Sequence, residues 1–181
     1  MLVSKEFHDV SVLANLFNNK FAKYHVILQP GADEPFYQAE TNGHKAIIYS
    51  REDFFASALH ELAHWCIAGM DRRTQDDYGY WYEADGRSAQ LQQLFFKVEV
   101  KPQALEWAFA LASNFPFRVS VDNLNNPHSD MAYFKDKVYQ QLARYFEEGF
   151  SVRALAIIQM LSCHYRQGHP IRLPEKESCL I

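Results

Sequence analysis

Between Val10 and Tyr24 the apolar residues Val12, Leu13, Leu16, Phe17 and Phe21 return every three or four positions. That spacing lays one stripe along a helix. Asn15, Asn18, Asn19 and Lys20 supply a polar outer face, so the chain is expected to open with an amphipathic helix. The period then shortens. His25-Val26-Ile27-Leu28 reads as a short strand, Pro30-Gly31-Ala32-Asp33 as turn chemistry, and Pro35-Phe36-Tyr37-Gln38-Ala39 as a second strand. Thr41-Asn42-Gly43 carries an Asn-Gly hairpin signal, and Lys45-Ala46-Ile47-Ile48-Tyr49 continues from it as a third strand.

From residue 50 onward the pattern is helical. Ser50 is the expected N-cap of a helix over residues 51–68, with Asp53 at the capping-box position and Gly69 as its stop. Met70 to Tyr78 is polar and loop-like. A second helix is expected from Tyr82 to Phe96, weakened at Gly86, and a third from Gln103 to Asn114, opened by Pro102. Phe115-Pro116-Phe117 breaks the pattern, and Arg118 to Val121 reads as a short strand or an ordered loop. Ser129 opens a helix to Glu148 that Gly149 ends. Ser151 starts the last helix, Val152 to Arg166, and His169 to Pro174 is extended. No repeat, low-complexity segment or linker interrupts this order.

The helix after Ser50 contains His60-Glu61-Leu62-Ala63-His64, the pattern H-E-x-x-H. Residues i and i+4 of a helix share a face, one turn apart, so His60 and His64 can direct two imidazoles at one metal ion. Ligand bonds of about 2.0–2.1 Å suit that spacing. Glu61 sits beside them, within reach of a metal-bound water. The flanking Phe54, Phe55, Leu59, Leu62, Trp65 and Ile67 make this a packed helix. Half-buried imidazoles without partners cost about 1–3 kcal/mol each, and a metal satisfies them. The resulting fold class is α+β: a small, mostly antiparallel N-terminal sheet packed on a mainly helical, zincin-like body, as one domain over residues 1–181.

Composition narrows the partners. The chain has 181 residues with 18 basic and 22 acidic side chains, a formal net charge of −4, and no basic patch. Nucleic acid is therefore not an expected partner. Cys66, Cys163 and Cys179 show no paired spacing, which fits a reducing compartment. The N-terminus lacks a secretory pattern, and the longest apolar run, Ala154 to Ile158, is far too short for a bilayer. The expectation is a soluble cytoplasmic protein with no membrane partner.

A catalytic metal site needs a third protein ligand and an open position. Glu83 is the expected ligand, because it follows His64 by nineteen residues at the opening of the next helix, the arrangement H-E-x-x-H-(x)18-E. Arg87, one turn further, can hold its carboxylate. The trio His60, His64 and Glu83 is ambiguous alone. With zinc and Glu61 as general base it is a peptidase constellation. With iron(II) it is a two-histidine, one-carboxylate triad open to oxygen. A metal that only stiffens a non-enzymatic module is the third reading.

The runs Ser57 to Trp65, Tyr80-Trp81-Tyr82-Glu83-Ala84-Asp85-Gly86-Arg87, and Val119-Ser120-Val121-Asp122-Asn123-Leu124 resemble the bacterial elongation factor P hydroxylase family. The resemblance extends over nearly the whole chain. It implies an oxygen-dependent hydroxylase acting on a lysine of elongation factor P that already carries a β-lysyl group. It also implies a non-haem Fe(II) centre at His60, His64 and Glu83, with zinc as an alternative occupant on purification. The order HExxH…E differs from the H-x-D/E…H order of β-barrel iron oxygenases, so a requirement for 2-oxoglutarate stays open. A modified lysine is long and cationic. Asp76, Asp77, Tyr80 and Trp81 offer the carboxylates and aromatic faces that suit it, with each cation–π contact contributing about 0.5–2 kcal/mol.

Overall fold

The computed structural model describes residues 8–77, 89–120 and 128–179. Contacts divide the chain into two compact units, Met1–Gly79 and Tyr80–Ile181.

The first unit opens with helix α1, Val10–Lys20, capped by Asp9, whose carboxylate accepts from the Ser11 amide at 2.7 Å. Three strands follow: β1 Val26–Ala32, β2 Phe36–Gln38 and β3 Ala46–Arg51. The sheet order is β1-β3-β2. The hairpin read from Asn42-Gly43 joins β2 to β3. Both residues are left-handed, at φ 46° and 84°, as the tightest hairpin turns require. The sheet is mixed, however, rather than mostly antiparallel, because β1 runs parallel to β3. Ala46, Ile48 and Ser50 make β3 the most buried strand, and it takes the centre. β1 adds at its other edge in the register that aligns Val26 with Ala46 and Leu28 with Ile48, putting four buried side chains on one face.

Two further expectations change here. Pro30 and Gly31 belong to β1 instead of a turn: β1 is an edge strand, where proline is tolerated, and Gly31 at φ 98° absorbs a register shift between Pro30 and Ala32. Ser50 is a fully buried residue of β3, not a helix cap. The Gly31 amide bonds the Glu52 carbonyl and the Glu52 amide bonds the Ala32 carbonyl, both at 2.8 Å. This pairing carries the extended chain past Ser50, so helix α2 spans Phe55–Ile67. Gly69 is not left-handed and supplies no cap; the C-cap is Ala68. Helix α2 packs on β3 and α1. Trp65 meets Phe17, Phe21 and Tyr24 edge-on, with centroids 5.5–5.8 Å apart.

In the second unit helix α3 spans Ala89–Ala112 without interruption. The two helices expected on either side of Pro102 are one. Pro102 removes a single helical hydrogen bond, and the burial of Ala104, Leu105, Trp107, Ala108 and Phe109 outweighs that loss. Helices α4, His128–Glu148, and α5, Val152–Tyr165, pack against α3. Gly149 at φ 98° closes α4, and the Ser151 hydroxyl caps α5 through the Ala154 amide at 3.3 Å. The core stacks Phe96 on Phe134 and Trp107 on Phe117. Residues 118–120 form an ordered loop whose Ser120 is bracketed by the Gln103 amide, at 2.7 Å to its carbonyl and 3.0 Å from its N–H. No described helix is long and apolar enough to cross a membrane.

A second side-chain amide does the same in the first unit. Asn18, read from sequence as outward-facing, turns to the edge of β1. It accepts from the Leu28 amide at 2.7 Å and donates to the Leu28 carbonyl at 3.1 Å. Asn18→Ala leaves both backbone groups of a buried residue unsatisfied and should lower stability by about 1–3 kcal/mol. Asn18→Asp, which keeps only the acceptor, should fall between. Urea midpoints of the three proteins check the order.

Candidate metal centre

Helix α2 buries Phe55, Ala58, Leu59, Leu62, Ala63, Trp65 and Cys66. The remaining face carries Ser57, His60, Glu61 and His64, all half-buried. These follow the i, i+3, i+4, i+7 repeat, so the H-E-x-x-H residues share one side. The two imidazoles converge as the pattern requires. Their Nε2 atoms lie 3.0 Å apart, with ring centroids 4.6 Å apart and planes at 65°. Two nitrogens at that separation fit neighbouring positions around one ion with bonds of about 2.0–2.1 Å.

His60 and His64 supply two of the ligand atoms that such a centre needs, and a carboxylate is the usual third. Two imidazoles and one carboxylate suit zinc and iron alike.

Helix α3, continuous through Pro102, buries Glu99 one turn after Phe95 and Phe96 and one turn before Gln103. Glu83, Tyr80, Trp81 and Arg87 lie outside the described residues.

Asp76 and Asp77 have structural partners. The Asp76 carboxylate accepts from the Ala39 amide at 2.8 Å. Asp77 pairs its backbone with Tyr37, at 2.7 and 2.9 Å, and its carboxylate accepts from Arg72 Nε at 2.6 Å and Nη2 at 2.5 Å. Asp77 is thereby already neutralised, whereas Asp76 remains exposed.

Residues 16–175 match the family model described as elongation factor P hydroxylase. Over 169 residues, covering 92% of this chain and 94% of the relative, the sequence is 43% identical to the elongation factor P lysine hydroxylase of Haemophilus influenzae.

Replacing either His60 or His64 by Ala should reduce bound metal, measured by plasma mass spectrometry after loading and desalting, to background. Glu83→Gln should weaken retention comparably, and full retention in that variant would reject Glu83 as the third ligand.

Proposed function

The chain belongs to the elongation factor P hydroxylase family, and from that membership we propose that it hydroxylates a lysine of elongation factor P at a non-haem metal centre held by His60 and His64. The observation that carries this reading is the convergence of the two Nε2 atoms, 3.0 Å apart, in a chain whose match to the family runs from residue 16 to residue 175. Iron(II) is the metal proposed, because zinc has no accessible redox change and hydroxylation by O2 needs one.

The chain's own residues divide the work. His60 and His64 anchor the ion through neutral imidazoles. Glu83, nineteen residues after His64, would supply the carboxylate, with Arg87 one turn further to steady it. Glu61 lies on the same helical face as the histidines. Its carboxylate takes up and returns a proton at the centre, and its substitution should slow turnover while the metal stays bound. The target is a lysine extended by a β-lysyl group. Its positive charge is received by Asp76 and by the faces of Tyr80 and Trp81. The chemistry takes place in the cytoplasm, where Cys66, Cys163 and Cys179 remain reduced, outside any disulfide.

Intact mass spectrometry of β-lysylated elongation factor P, incubated with this protein, iron(II) and air, tests the reading. The expected product gains one oxygen atom, with none gained under argon or with His64→Ala. Glu61→Gln is expected to slow the gain by about 10²-fold or more, the usual scale of a lost proton-transfer group. Cleavage of the substrate chain, or no mass change, overturns the proposal.

A further inference from the structure

Helix α2 carries both histidines, yet it lacks the usual fastenings at either end. Its N-cap, Phe54, makes no side-chain cap hydrogen bond, and its C-cap, Ala68, is not followed by a left-handed glycine. Each end is instead tied to the sheet by one side chain. At the start, the Arg51 amide at the end of β3 donates to the Ser57 hydroxyl at 2.9 Å. Ser57 lies one turn before His60 on the histidine face. It fastens the first turn of α2 back onto the strand that precedes it, instead of capping the helix's own amides. Glu52, left-handed at φ 44°, makes the reversal possible, and its backbone pairs with Gly31 and Ala32 hold the corner. A non-glycine residue in that conformation is strained and persists only where its surroundings fix it.

At the other end, Arg73 Nη1 donates to the Ala68 carbonyl at 2.5 Å, and the Ala68 amide bonds the His64 carbonyl at 2.9 Å. The guanidinium thus satisfies a terminal carbonyl at the negative end of the helix, one turn beyond His64. Arg73 is itself tied to the sheet, because its own carbonyl accepts from the Tyr37 hydroxyl on β2 at 3.0 Å. The bonds at the two ends oppose rotation of α2 about its axis and sliding along it. A shift of either kind would swing His60 and His64 away from a common point.

We propose that Ser57 and Arg73 are positioning residues for the metal: by fastening the two ends of α2 to β3 and β2 they set the separation of the His60 and His64 nitrogens. The inference rests on the metal reading above and deepens it. Cobalt(II) serves as the probe, because its visible absorption reports ligand geometry without any need for turnover. Affinity is measured by competition with a chelator, and thermal midpoints are recorded alongside. Ser57→Ala and Arg73→Ala are each expected to weaken cobalt(II) about tenfold, at the low end of what supporting residues around metal ligands contribute, and to shift the absorption band. Ser57→Thr and Arg73→Lys keep a hydroxyl and a terminal cation, and are expected to restore affinity and band position.

The proposal is overturned if the alanine variants keep the wild-type affinity and spectrum while only their thermal midpoints fall. It is overturned equally if the conservative variants are as impaired as the alanine ones. If the wild-type protein itself takes up no cobalt(II), the metal reading fails first.

Discussion

Two imidazoles on consecutive turns meet at one point only if the helix beneath them does not roll. At the radius of a side-chain nitrogen, a few degrees of rotation move the donor by a large part of the tolerance that metal bonds allow. The first unit meets this demand through packing and hydrogen bonding together. Trp65, next to His64, is held edge-on by three aromatic rings of the N-terminal segment, which fixes the face that α2 turns inward. The sheet then grips the helix ends through Ser57 and Arg73. The mixed topology serves the same purpose: β3 at the centre leads directly into α2, with β1 pinning the corner at Glu52 and β2 holding Arg73 through Tyr37.

The convergence of His60 and His64 was legible because its signal is local. A five-residue pattern on a 3.6-residue period dictates that two side chains share a face, whatever surrounds them. The hairpin at Asn42-Gly43 and the Ser151 cap were legible for the same reason, since each is fixed by the conformational preference of one or two residues. What the sequence hid was decided at long range. Ser50 has the chemistry of an N-cap, but the backbone pairs of Gly31 and Ala32 with Glu52 hold it in the sheet. Asn18 reads as a solvent-facing amide and Gln103 only as the start of a helix, yet each satisfies both backbone groups of a residue at least ten positions away. Pro102 reads as a helix start from its own backbone. Only the apolar surface on both sides of it keeps α3 whole, and with that continuity Glu99 falls on a buried face.

Charge balance bears on how such a centre accepts its substrate. Two neutral imidazoles and one carboxylate leave a divalent ion with one net positive charge. A lysine ammonium at roughly 6 Å from that charge is repelled by about 3 kcal/mol at an effective dielectric of about 20. The reacting carbon of a lysine chain must therefore approach with its ammonium end held away from the ion, or beside additional negative charge. Glu61 is the acid that shares the histidine face of α2. Of the two acids after α2, Asp77 is paired with Arg72, whereas Asp76 is exposed. A negative charge near the ion weakens that repulsion, so the Glu83 variant bears on substrate approach as much as on metal affinity.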